Sequence, residues 1–117
     1  LTITPAAGFV IEAVLAFFLV IVVLTTAVAG SAGNFAPIAI GMTVTLNIMM
    51  AGSLTGANFN PAISLGPMIA TANFTDAWLY VIAPIVGALV AALIHKAMKL
   101  LAEDGIEVAP RATAPAE

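Results

Sequence analysis

Ahead of His95 the chain carries only two formal charges, Glu12 and Asp76, and apolar residues fill most of the rest. A hydrocarbon core of about 30 Å is crossed by about 20 helical residues, and the chain holds three runs on that scale. This constrains the fold more than any motif does: the chain must place its runs in a membrane as helices. Hydrophobic residues at 62% and charged residues at 8% agree with that and not with a soluble domain. The formal net charge of −3 comes largely from Glu103, Asp104, Glu107 and Glu117 near the end, so it carries no signal for nucleic acid. With no cysteine there is neither a disulfide framework nor a thiolate metal site, and nothing in the residues implies a cofactor or a bound metal.

Taken in order, the runs predict an all-α membrane protein with helices over about 6–30, 35–52 and 77–98. Ser31-Ala-Gly-Asn34 supplies the first turn. The second helix carries Pro37 in its first turn and then Gly41, Thr43, Thr45 and Asn47, residues suited to helix contacts in lipid. Thr75 or Asp76 would cap the third, Trp78 and Tyr80 suit the headgroup region, and Pro84 with Gly87 marks a kink where helices approach closely. Lys96, Lys99 and Arg111 all follow this helix, so the C-terminus is expected to be cytoplasmic. Residues 1–101 form the membrane unit, and 102–117, polar and rich in Pro and Ala, read as a disordered tail. The sequence starts without Met and has no basic residues before its first run, which reads as part of a longer protein and not as a leader.

Residues 53–72 fit neither a crossing nor an external loop, being too broken by Gly and Pro for one and too apolar for the other. They are expected to enter the membrane and return. Asn60 can cap a half-helix, Pro61 is preset for its first turn, and Gly66-Pro67 can end or bend it. Non-helical backbone at membrane depth survives only where protein buries it or a wet cavity lines it, so the segment implies a polar path. Extended backbone before Asn60 offers carbonyl acceptors, and the half-helix start offers donors and a positive dipole. The set favours uncharged, hydrogen-bonding solutes, because the dipole repels cations and apolar walls replace no hydration shell. Taken alone, Asn60-Pro61-Ala62 is an ordinary helix start; its place between spanning helices gives it the functional reading.

Thr55-Gly56-Ala57-Asn58-Phe59-Asn60-Pro61-Ala62, followed by Ser64-Leu65-Gly66-Pro67, resembles the second Asn-Pro-Ala loop of the aquaporins, the major intrinsic proteins. Gly8-Phe-Val-Ile-Glu12 resembles the family's fourth helix, Ala39-Ile-Gly41 its fifth, and Phe74-Thr-Asp-Ala-Trp78 with Pro84-Ile-Val-Gly87 its sixth. The likeness covers roughly residues 6 to 98, the C-terminal half of an inverted repeat, so three helices and one re-entrant half-helix would be half of a six-helix bundle. It implies a passive single-file channel in the lipid bilayer for water and small neutral solutes such as ammonia, urea or hydrogen peroxide, with glycerol less favoured. By the same resemblance Asn60, Pro61 and Ala62 line the pore, Gly56, Ala57 and Asn58 present carbonyls, and Glu12 holds the loop by its backbone N–H groups. Asn58 stands where Gly is frequent and tolerates left-handed backbone.

The family's usual Arg after Ala62 is Ile63 here, and Ile48, Ala57 and Ile63 correspond to this half's selectivity filter. That apolar set resembles the vacuolar plant subgroup more than strict water channels. Implied partners are the missing N-terminal half, expected in the same native chain, and further copies in a homotetramer. Two readings compete: a non-conducting truncated or diverged relative, and an ion or proton channel using Glu12 and His95, the latter better read as interfacial beside Lys96. One His, no Cys and one intramembrane carboxylate supply no nucleophile and base pair, so no enzyme is expected.

Overall fold

The computed structural model describes residues 1–103, and within them every regular element is helical. Thr4 starts the first helix, α1 (Pro5–Val23), by accepting the Ala7 N–H at 3.3 Å while Pro5 fills a first-turn position that needs no donor. A regular helix to Gly30 is expected from the apolar run; instead α1 widens into a π turn over Leu24–Val28 and stops. There the Thr25 and Thr26 hydroxyls donate to the Ile21 and Val22 carbonyls at 2.7 and 2.6 Å, and Ser31 donates to the Thr25 carbonyl. Hydroxyls bonded to their own helix compete with its ladder, but the same bonds from Thr43 and Thr45 leave α2 regular, so they accompany the widening and do not alone account for it. A 3₁₀ turn, Gly33–Phe35, leads to α2 (Ala36–Thr55), then come α3 (Pro61–Thr71) and α4 (Ala77–Glu103).

Three of these helices, α1 with its π turn, α2 with its 3₁₀ entry, and α4, are long and apolar enough to cross a membrane; α3 is a shorter apolar helix. The tail expected over 102–117 lies from residue 104 on outside the described residues, and its first two residues belong to α4.

Side-chain contacts fix the directions. Phe9 stacks on Trp78 at 6.1 Å, a Cβ on Gly87 would fall on the Ala13 carbonyl, and Thr25 and Val28 border a cavity with His95 and Lys99. α1 and α4 therefore run the same way, with Gly87 allowing their backbones to meet. α2 runs back: its Asn47 donates to the Leu15 carbonyl at 2.9 Å, and its end returns to Thr2, whose N–H donates to the Leu54 carbonyl. α3 rests on α4, and its far end, Thr71, borders a cavity with Leu1 and Asp76. That is the end of the bundle from which α1 and α4 start and to which α2 returns, so the segment between α2 and α4 begins and finishes at the same end. Leu15, Ala16, Ala51, Ala57 and Phe59 make the core where α1, the end of α2 and the loop before α3 meet.

Two local expectations fail. Of the two outcomes open at Gly66-Pro67, an end or a bend, the end does not occur: α3 continues to Thr71, inside the expected 53–72, and closes with Ala72 in left-handed backbone and the Asn73 N–H on the Met68 carbonyl. Neither Thr75 nor Asp76 caps α4 by its side chain: Asp76 takes φ +58°, its carbonyl accepts the Leu79 and Tyr80 N–H groups, and the side-chain bond of this turn is from the Thr75 N–H to Asn73 Oδ1.

Candidate functional site

The site is the loop Gly56–Phe59 together with the start of α3. Glu12 lies about 10 Å along α1 from Pro5 at 1.5 Å per residue, and it is fully buried. A buried carboxylate is costly unless it is paired. Its partners are backbone donors: Asn58 N–H to Oε1 at 3.1 Å and Phe59 N–H to Oε2 at 2.6 Å. Charge-assisted bonds to both oxygens leave the loop little freedom to slide.

The loop's other N–H groups are also taken. Gly56 N–H donates to the Gly52 carbonyl and Ala57 N–H to Thr55 Oγ1, both at 3.1 Å. In contrast, the Gly56, Ala57, Asn58 and Phe59 carbonyls accept no hydrogen bond among the described residues. The segment is thus polarised, with donors turned into protein and acceptors left over. Gly56, Ala57 and Phe59 achieve this with φ of 89°, 47° and 35°. Asn58, which tolerates left-handed backbone, does not adopt it; two residues with ordinary side chains do, held by the bonds just described.

Asn60 completes the row. Its Oδ1 accepts the Ala62 N–H at 2.9 Å and its own carbonyl accepts from Ile63 and Ser64, so the cap consumes its acceptors. Its Nδ2 has no hydrogen-bond partner among the described residues, and the side chain is exposed. The arrangement offers a solute two donors beside a short ladder of acceptors, with the positive end of α3 behind the donors.

The three positions expected to form a filter are placed differently from one another. Ile48 and Ile63 are 51% and 52% exposed, on helices α2 and α3 that do not pack on each other. Ala57 is buried, its methyl in the core cluster, so toward a solute it can offer only its carbonyl. Pro61 and Ala62 lie in the first turn of α3 beside Asn60.

Three residues matter here beyond what their types suggest. Tyr80 is 7% exposed and donates its O–H to the Thr55 carbonyl at 2.5 Å, whereas Trp78 is 52% exposed. Thr55 is buried and accepts from the Ala57 N–H. Asn47 ties α2 to α1. The available signal was their polarity within apolar runs; the partners lie 25 and 32 residues away for Tyr80 and Asn47, beyond any local pattern.

The family model for the major intrinsic proteins matches residues 2–95. Among curated relatives, the chain is 43% identical over 105 residues to aquaporin NIP3-1 of Zea mays, covering 89% of the chain and 35% of that protein. It is 40% identical over 97 residues to nodulin-26 of Glycine max, covering 82% and 36%, and 42% identical over 92 residues to probable aquaporin TIP2-2 of Oryza sativa subsp. japonica, covering 76% and 37%. The chain thus spans about a third of the length of these relatives. No solved structure gives a significant match.

Proposed function

This chain belongs to the major intrinsic protein family, and on that premise we propose that it forms half of a passive membrane channel for water and small neutral solutes. The observation that carries the reading is the polarity of Gly56–Phe59: every N–H is bonded inward while four successive carbonyls stay free beside the Asn60 amide. A molecule that both donates and accepts can exchange its solvent hydrogen bonds for these. An anion meets a row of acceptors, and a cation meets the positive end of α3, so both are disfavoured.

Asn60, Pro61 and Ala62 with the Gly56, Ala57 and Asn58 carbonyls line the path, Glu12 holds it, and this half of the filter is formed by the apolar Ile48 and Ile63 with the Ala57 carbonyl. Half-exposed Ile48 and Ile63 on helices that do not touch support an opening between α2 and α3. Water, ammonia, urea and hydrogen peroxide suit such a filter better than glycerol does. The other half of the bundle comes from the same native protein, which assembles as a homotetramer in the bilayer. Lys96 and Lys99 near the end of α4 support a cytoplasmic C-terminus.

Stopped-flow light scattering on proteoliposomes holding the full-length protein tests the reading. Osmotic shrinkage well above that of protein-free vesicles is expected. Shrinkage no faster than lipid alone would leave the non-conducting alternative.

A further inference from the structure

We propose that Tyr80 is a positioning residue for the solute path, an inference that rests on the channel reading above. The last four carbonyls of a helix have no partner within it. At the end of α2 all four are taken: that of Gly52 by the Gly56 N–H, those of Ser53 and Leu54 by Thr2, and that of Thr55 by the Tyr80 O–H. The Thr2 bonds are exposed, so water can replace them; the Tyr80 bond is buried, so it cannot be replaced in this way.

Thr55 is the last residue of α2, and the acceptor ladder starts immediately after it. With its carbonyl fixed by Tyr80, its Oγ1 receives the Ala57 N–H, so one buried residue sets the direction in which the loop departs. Gly56, Ala57 and Phe59 sit in left-handed backbone that Ala and Phe do not choose for themselves, and such geometry persists only where the surroundings over-determine it. Glu12 on α1 holds the far end of the loop, at Asn58 and Phe59. Tyr80 on α4 holds the near end through Thr55. Without the phenol, the Gly56 and Ala57 carbonyls lose their fixed aim while the remainder of the ladder keeps its anchor.

The test uses the full-length protein with Tyr80→Phe, Thr55→Val and Thr55→Ser, each reconstituted at known protein content. Two quantities are read: water permeability per channel and its activation energy, the second being independent of how many channels are folded. Tyr80→Phe is expected to lower permeability per channel roughly 2- to 10-fold, the equivalent of one net hydrogen bond, and to raise the activation energy. Thr55→Val should do the same, and Thr55→Ser, which keeps the hydroxyl, should stay near the parent. An unchanged activation energy in Tyr80→Phe, with permeability falling only as folded protein falls, overturns the positioning role. A parent protein that passes no water overturns the channel reading first and this inference with it, whereas a conducting parent with an indifferent Tyr80→Phe removes the inference alone.

Discussion

On the proposed reading Asn60 has two separable jobs, and one substitution can divide them. Oδ1 caps α3 and Nδ2 faces outward without a partner among the described residues. Asn60→Asp keeps an oxygen for the Ala62 N–H and adds a negative charge that suits the helix start, so the fold should be retained. It removes both donors from the proposed path and sets a carboxylate beside the free carbonyls. Water permeability in vesicles is expected to fall about tenfold, the equivalent of one ~1.4 kcal/mol hydrogen bond, with thermal stability in detergent unchanged. A stable variant with parental permeability would show that the amide donors are not used. Glu12 presents the opposite case, because its charge, burial and two bonds serve one purpose. An amide there could accept only one of the two N–H groups without presenting its own N–H to the other.

Among the elements, α1 and α4 make the most extensive contact, and Gly87 is what lets them meet. Because a Cβ would fall on a backbone carbonyl, Gly87→Ala cannot be absorbed by a side-chain rotation; α4 must move away from α1. A loss of about 1–3 kcal/mol in stability is expected, read as a lower unfolding temperature of the purified protein. An unfolding temperature equal to the parent's would mean that the helices are not so close. The elements also show what a sequence can and cannot convey. Run length and the absence of charge set the three long helices, and Asn60-Pro61 marks the start of α3, because both are local properties of lipid solvation and capping. Which of its two effects Gly66-Pro67 would have was not legible: the helix runs past it to Thr71 while packed on α4, because a proline only disfavours the helix around it. Nor was the burial of Tyr80, whose partner Thr55 belongs to another helix, or the left-handed backbone at Ala57 and Phe59, which bonds to Glu12 and Thr55 impose from outside the segment.

On the scale of the whole molecule, buried Glu12, Thr55 and Tyr80 and the core cluster gather around the loop before α3, while Phe18, Met42, Met49 and Leu93 remain exposed. Such exposure would be a liability in water and is ordinary for helices that meet hydrocarbon or other helices. The described residues are thus arranged around one polar, non-helical segment, and the central claim is that this segment lies at membrane depth and that a solute path runs along it past the start of α3. Blocking the path at one point tests this most directly. The described chain has no cysteine, so Ile63→Cys, made in full-length protein free of other accessible thiols, provides one reactive position in the first turn of α3. After a water-soluble thiol reagent, vesicle water permeability should drop toward the lipid background, and a reducing agent should restore it. Complete modification of that cysteine with permeability unchanged would contradict the account.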